Sequence, residues 1–250
     1  MKIQRVFDAH FHIIDPDFPL QENNGYLPDP FGVTQYQERI ADLGVSGGAV
    51  VSGSFQGFDQ GYLIAALEAL GPHYVGVTQI PADTEDEKIL ELHRHGVRAV
   101  RFNVRRGGSA SLEDLDRLAR RVYDLVGWHT ELYIDARELP EIMPVVSALP
   151  AVSVDHLGLH EEGLLSLLAL VERGMKVKAT GFGRIELDPT KAIKEIVKAN
   201  PHALMVGTDL PSTRARRPFQ DTDFALICDA LDEEQVEDVF WNNAADWYLR

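Results

Sequence analysis

The feature that most constrains the fold of this 250-residue chain is a regular alternation of short β-rich runs with amphipathic segments. The runs that favour strands span residues 5–12, 48–52, 74–79, 98–103, 130–135, 152–156, 176–180 and 203–207. The amphipathic segments between and after them span residues 35–43, 62–70, 85–95, 112–126, 139–149, 164–173, 190–199, 219–231 and 233–249. Eight strands that are each followed by a helix predict parallel pairing in an α/β fold, a closed (β/α)8 TIM barrel.

The domain organisation follows from the length and from the evenness of this pattern. A chain of 250 residues is typical of one such barrel, and no linker or low-complexity tract divides it, so we expect a single domain over residues 1–250. The least regular stretch, residues 16–32, follows the first strand and is either a surface connection or a substrate lid. An open doubly wound sheet is the alternative fold, but no glycine-rich phosphate loop follows a strand.

The charge and the N-terminal sequence narrow the classes of partner. A formal net charge of −15 argues against binding to nucleic acid or to an anionic membrane. The N-terminus has no secretory signal pattern, no apolar run approaches the ~18 residues of a membrane span, and Cys228 is the single cysteine. We therefore expect a cytoplasmic protein whose partner is a small molecule, and a homo-oligomer remains open.

Strand periodicity separates the side chains that face the barrel interior from those that face the helices. In the first strand, the apolar Phe7, Ala9 and Phe11 suit the helix side, which predicts that Asp8, His10 and His12 point inward. Similar reasoning places a further polar set inside, namely Arg101, Asn103, Glu131, Tyr133, Asp135, His156, Lys178, Thr180 and Asp209. Polar residues at the carboxyl ends of barrel strands indicate an active site.

Three short motifs carry the predicted chemistry. His10 and His12 lie two residues apart on one strand, about 6–7 Å between Cα atoms, which is close enough to share a divalent cation. Such a pair alone also fits hydrogen-bonded core histidines, but its place at the end of the first strand, after an aspartate, favours function. His156 ends the sixth strand, and Asp209 follows the eighth, where a carboxylate is a general base, a metal ligand or a turn residue.

The combination of these motifs resembles the amidohydrolase superfamily, in particular its branch of 2-pyrone-4,6-dicarboxylate lactonase-like hydrolases. The matching runs are DAHFHI, SGSFQGFDQGYLIAAL, GVRAVRFNV, YIDARELP, VDHLG, KATGFGR and GTDLP. The resemblance implies a hydrolase, more narrowly a lactonase, in which Asp209, His156, His10 and His12 are catalytic. It also implies that arginines of strand four and its loop bind the carboxylate of an anionic substrate.

The chain departs from the superfamily pattern at the metal positions. Residues 97–104 contain no lysine, and His129 lies at the N-terminal end of its strand, so we do not expect a binuclear centre. We expect either no cofactor or one divalent ion, zinc if any, held by His10, His12 and Asp209. The run Asp209-Leu210-Pro211-Ser212 also lacks the tryptophan and histidine found around the last aspartate of the lactonase branch.

Substrate recognition is predicted from the arginines, because a guanidinium matches a carboxylate with two parallel donors. The candidates are Arg101, Arg105 and Arg184, with weaker contributions from Tyr133, Ser54 and Tyr26. For Arg106 we favour a solvated loop charge, and Arg101 could instead pair with Glu131 or Asp135. The expected reaction is Asp209-assisted attack of water on a lactone. The alternatives are a metal-dependent decarboxylase of the same superfamily, an amide or imide hydrolase, and a non-catalytic barrel that binds a small carboxylate.

Overall fold

The computed structural model describes residues 3–249 and confirms the barrel. Its strands are β1 Val6–Phe11, β2 Val45–Val51, β3 Tyr74–Thr78, β4 Val97–Phe102, β5 His129–Leu132, β6 Val152–Val154, β7 Lys176–Ala179 and β8 Leu204–Val206. Its helices are α1 Val33–Ile40, α2 Gly61–Leu70, α3 Asp86–Arg94, α4 Leu115–Val126, α5 Leu139–Val146, α6 Leu164–Val171, α7 Pro189–Ala199, α8 Asp221–Ala230, α9 Glu233–Glu237 and α10 Asn243–Tyr248.

The eight strands pair in parallel with their neighbours in sequence order. The barrel closes where the end of β1 meets the segment after β8. There the His12 N–H donates to the Leu210 carbonyl and the Asp209 N–H donates to the His10 carbonyl, both at 2.7 Å. Backbone pairing therefore brings the two sequence motifs side by side.

The helices cover the outside of the barrel through the faces that their periodicity predicts. In α4, for example, Leu115, Leu118, Ala119 and Val122 are buried, which is the i, i+3, i+4, i+7 stripe of an amphipathic helix. They belong to a cluster that includes Val100 and Phe102 of β4, so these two strand residues face the helices. No helix within residues 3–249 is long and apolar enough to cross a bilayer.

The predicted orientation of the first half of β1 is wrong. Phe7 and Ala9 pack inside the barrel with Val51 of β2 and Met205 of β8, whereas Asp8 faces α1 and accepts a hydrogen bond from the Tyr36 hydroxyl at 3.0 Å. The cause is a break in register against β2 between Asp8 and Phe11, a bulge that shifts the alternation by one residue. Because the bulge precedes His10, both histidines still reach the interior.

The amino end of the barrel is closed by the C-terminal segment. The Tyr248 ring stacks on Phe7 with 5.3 Å between ring centres, and its hydroxyl bonds to the buried Glu131. Glu131 also contacts His129 and forms an ion pair with Lys178, whose Nζ lies 3.5 Å from Asp155 Oδ1. A buried polar column thus runs from the plugged end of the barrel toward the polar end.

Candidate active site

A narrow pocket opens at the carboxyl ends of the strands. Its walls come from the ends of seven strands, all but β3, and the loops that follow them, the arrangement from which barrel enzymes build active sites. The lining residues are His12, Gly53, Ser54, Phe55, Arg101, Asn103, Arg106, Tyr133, His156, Arg184, Thr213 and Arg214. Four of these twelve are arginines, so a chain with a net charge of −15 concentrates positive charge here. Such a pocket suits an anionic ligand.

The three predicted histidines come together beside this pocket. The ring centre of His10 lies 5.1 Å from that of His12 and 4.9 Å from that of His156. His12 Nδ1 lies 2.7 Å from the Val51 carbonyl, and His156 Nδ1 lies 3.3 Å from the Thr180 carbonyl. A carbonyl only accepts, so each Nδ1 carries the proton and each Nε2 keeps a lone pair.

Burial keeps these imidazoles neutral. Burial and the nearby Arg101 charge lower the pKa of His12 to about 3. Burial also holds the pKa values of His10 and His156 well below the usual range. Neutral rings with free Nε2 lone pairs can accept a hydrogen bond from water or bind a metal. They cannot donate from Nε2 to a developing oxyanion.

Asp209 lies beneath the pocket wall, fully buried, with its backbone at a φ of 61°. Its Oδ1 is 3.9 Å from His10 Nε2 and 3.8 Å from His12 Nε2. Arg184 donates from Nε to Oδ2 at 2.7 Å and from Nη2 to Oδ1 at 3.0 Å. Burial raises the pKa of Asp209, and the Arg184 charge only partly offsets this. A buried carboxyl with a raised pKa is suited to accept a proton.

Gly181, directly after β7, makes this packing possible. A Cβ at this position would lie 2.5 Å from His156 Nδ1 and 3.1 Å from Asp209 Oδ2, and its φ is +63°. Glycine is therefore required both for the backbone conformation and for the close approach to two candidate catalytic groups.

Asp155 is the functional candidate that the sequence reasoning missed. Its Oδ2 accepts hydrogen bonds from Nε and Nη2 of Arg101 at 3.2 and 2.8 Å, and its Oδ1 lies 3.4 Å from His10 Nδ1. Burial opposes its ionisation, but the cationic side chains of Lys178 and Arg101 hold its pKa well below the usual value. The signal was present, because Val152 and Val154 face outward and strand parity then points the side chain of Asp155 inward.

Arg101 enters the pocket as predicted, but its internal partner is Asp155. It does not pair with Glu131 or Asp135; the latter bonds to Arg137 and lies 3.3 Å from His160 Nε2. Arg101 Nη1 also donates to the Ser52 carbonyl at 2.8 Å. Three of its five N–H groups are engaged, so Nη1 and Nη2 each keep one donor for a ligand.

The two loop arginines after β4 exchange their predicted roles. Arg105 is exposed and outside the pocket wall; its backbone N–H bonds to the Tyr133 carbonyl at 3.0 Å. Arg106, interpreted from the sequence as a solvated charge, lines the pocket instead. Its Nε is buried and has no hydrogen-bond partner among residues 3–249.

Of the three weaker candidates for substrate binding, two line the pocket wall and one lies at the pocket mouth. Ser54 and Tyr133 are buried and line the pocket. Tyr26 is outside the wall and lies under Arg214, whose guanidinium carbon is 4.4 Å from the ring centre. Arg214, in the loop after β8, was not predicted at all, because that loop carries no periodic pattern.

Two overlapping groups of side chains could hold a metal ion: His10, His12 and Asp209, and His10, Asp155 and His156. Both groups use His10, whose two ring nitrogens have no hydrogen-bond partner in the described part of the chain. Two imidazoles and one carboxylate are ligand types that zinc accepts. The first group fits one ion better, because its carboxylate, Asp209, pairs with one cation, Arg184, whereas Asp155 contacts both Arg101 and Lys178.

Two sequence comparisons return matches of one kind. The family model for amidohydrolases matches residues 7–250. A curated relative from Comamonas testosteroni, named 2-pyrone-4,6-dicarbaxylate hydrolase, is 33% identical over 156 residues, which cover 60% of this chain and 51% of the relative. The match therefore spans about half the length of that protein.

Solved structures share the whole fold at low sequence identity. A protein of Agrobacterium tumefaciens superposes with a TM-score of 0.88 at 19% identity, covering 99% of this chain and 97% of its own. A probable 2-pyrone-4,6-dicarboxylic acid hydrolase of Acinetobacter baumannii, solved with citric acid bound, gives 0.85 at 20% identity and covers 98% and 100%. At these identities the likeness establishes the barrel and its connectivity.

Proposed function

The chain belongs to the amidohydrolase family, and we propose that it hydrolyses a small lactone, a cyclic ester, that carries a carboxylate group. The observation that carries this proposal is the position of Asp209. Its buried carboxyl group contacts two neutral imidazoles. It also lies directly behind Arg184, which forms part of the wall of the arginine-lined pocket. The name of the Comamonas relative supports the same chemistry, because a 2-pyrone is a cyclic ester.

Binding begins with the arginines. A substrate carboxylate that draws the Arg184 guanidinium toward itself releases the oxygens of Asp209, which Arg184 otherwise holds. Arg101, which is held in place by Asp155, offers its two remaining N–H groups to the substrate as well. Fixing the ring by its charge orients the ester carbonyl over the floor of the pocket.

Hydrolysis then follows a proton cycle on Asp209. The carboxylate accepts a proton from water, the water oxygen bonds to the carbonyl carbon, and the ring C–O bond breaks as the proton passes to the leaving oxygen. The lone pair on Nε2 of either His12 or His156 orients the attacking water by accepting a hydrogen bond from its second O–H. Arg101 rather than His156 stabilises the negative charge that develops on the carbonyl oxygen, because neutral His156 has no donor at Nε2.

The residues that would hold a divalent ion are His10, His12 and Asp209. When bound, the ion would polarise the carbonyl oxygen and lower the pKa of water.

The experiment is a substrate panel assayed by absorbance and by product mass. It compares 2-pyrone-4,6-dicarboxylate, its dimethyl ester, and a simple lactone without a carboxylate. We expect the dianionic lactone to be opened with a kcat/KM at least ~30-fold above that of the ester, the ratio for losing ~2 kcal/mol of buried charge pairing. Release of carbon dioxide would indicate the decarboxylase alternative. Turnover of amides alone, or binding without turnover, would also overturn the proposal.

A further inference from the structure

The four pocket arginines fall into two pairs, one with carboxylate partners and one without. Arg101 and Arg184 each have a buried carboxylate partner, Asp155 and Asp209 respectively. Within the described chain, neither Arg106 nor Arg214 has a carboxylate within 4.0 Å. Two charges without a counter-charge therefore face the same pocket.

The position of Arg214 is fixed by the loop after β1. Its Nη1 donates to Asn23 Oδ1 at 3.0 Å, its Nη2 donates to the Asn23 carbonyl, and its guanidinium stacks on the Tyr26 ring. Asn23 also donates from Nδ2 to the Arg106 carbonyl at 3.2 Å, so one side chain ties three loops together at the pocket mouth.

The backbone adds to this fixation. Arg214 and Ser212 adopt φ values of 59° and 66°, conformations that non-glycine residues rarely occupy and that cluster at ligand sites. The run from Asp209 to Arg214 is also where the chain departs from the tryptophan and histidine of the lactonase branch.

Holding two like charges together is unfavourable without an anion. Burial and the adjacent Arg106 charge lower the pKa of Arg214, which shows the mutual repulsion. Arg106 Nε is, in addition, a buried donor with no partner among residues 3–249. An anionic ligand group would relieve both features by accepting from the two guanidinium forks.

We propose that Arg214, with Arg106 beside it, binds a second anionic group of the substrate, remote from the ester bond that is cleaved. Arg214 is then a specificity-determining residue that selects substrates with two carboxylates over those with one. The inference rests on the proposed function, since it deepens the account of the same pocket.

The test measures binding without turnover, so that the two proposals fail separately. Isophthalate and benzoate, with two carboxylates and one, are titrated calorimetrically into the full chain and into Arg214→Gln. We expect the wild type to bind isophthalate at least ~10-fold tighter than benzoate, and Arg214→Gln to lose most of that ratio. Arg216→Gln is the matched control, because this arginine of the same loop is 75% exposed and pairs with Glu186.

A merely structural role for Arg214 predicts a different result. If the residue only ties loops together, the variant binds both ligands more weakly by the same factor. The ratio of the isophthalate and benzoate affinities is then unchanged, which overturns the inference. Equal binding of the two ligands to the wild type overturns it as well. Arg214→Lys, which keeps the charge but loses the fork, provides a second variant if the glutamine variant does not fold, and we expect an intermediate ratio. The affinity ratio could depend on Arg214 even though the protein opens no lactone. That result would leave this inference standing and remove the proposed function.

Discussion

Arg184 and Asp209 form a bidentate ion pair beneath the pocket, with 2.7 Å between Nε and Oδ2 and 3.0 Å between Nη2 and Oδ1. Their positions in the sequence predict separate roles, substrate binding for Arg184 and proton transfer for Asp209. Their contact links the roles, because a ligand that competes for the guanidinium frees the carboxylate. The pair also explains how a carboxyl group can be kept fully buried until substrate arrives.

The first prediction concerns Asp155. Asp155→Asn keeps the shape of the side chain but leaves Arg101 and Lys178 without its charge, so the free energy of unfolding should fall by ~3–5 kcal/mol. Equilibrium unfolding in urea measures it. The matched control is Asp114→Asn, which breaks an exposed pair with Arg117 and should change stability by less than ~1 kcal/mol. Equally small effects would show that Asp155 does not compensate these cations.

A second prediction concerns Gly181, where a methyl group would displace His156 and Asp209. Gly181→Ala should lower kcat/KM by ~10²-fold, the scale expected when catalytic groups shift by about 1 Å. Gly127→Ala shares the backbone strain, with a φ of +73°, but its Cβ would meet nothing within 4 Å. Steady-state kinetics should therefore find the control unaffected. Similar losses in both variants would attribute the effect to backbone strain alone.

The pH dependence of stability tests the buried column at the other end of the barrel. Burial lowers the pKa of His129 below the 6.5 of an unfolded chain. As the pH falls through 6.5, the unfolded chain takes up a proton there that the folded chain does not, so stability decreases. His129→Gln should reduce the slope of unfolding free energy against pH by up to ~1.4 kcal/mol per pH unit below 6.5. Urea unfolding at pH 7, 6 and 5 gives the slopes, and identical slopes would contradict the account.

Metal content is the fourth prediction. Because both candidate ligand groups share His10, we expect at most one divalent ion per chain and no requirement for a second. Elemental analysis of the purified protein, paired with activity after graded chelation, measures this. Two bound equivalents, with activity lost when the second is removed, would reopen a binuclear site.

The parts of the account that sequence predicts well are those that repeat. The alternation of strands and helices gives the barrel, and strand ends give His10, His12, His156 and Asp209. The interior position of Phe7 was missed because a bulge interrupts the parity on which the prediction depends. The same parity also points the side chain of Asp155 inward, although the prediction names only its neighbour His156.

The loops resist prediction for a different reason. Arg106 rather than Arg105 faces the pocket, and no periodicity in the loop after β4 encodes that choice. The placement of Arg214 depends on contacts with Asn23, distant in sequence and near only in the fold. The loops at the pocket are therefore where the structure adds most to the sequence.

The most direct test of the central claim is hydrolysis of 2-pyrone-4,6-dicarboxylate in water labelled with oxygen-18, followed by product mass. The account predicts a ring-opened product with one labelled oxygen and no loss of carbon. It also predicts that Asp209→Asn, folded by circular dichroism, forms this product at least ~10²-fold more slowly, the scale of a lost general base. Near-normal turnover by the folded variant would remove Asp209 from the mechanism. A product that lacks the label or has lost carbon dioxide would contradict lactone hydrolysis itself.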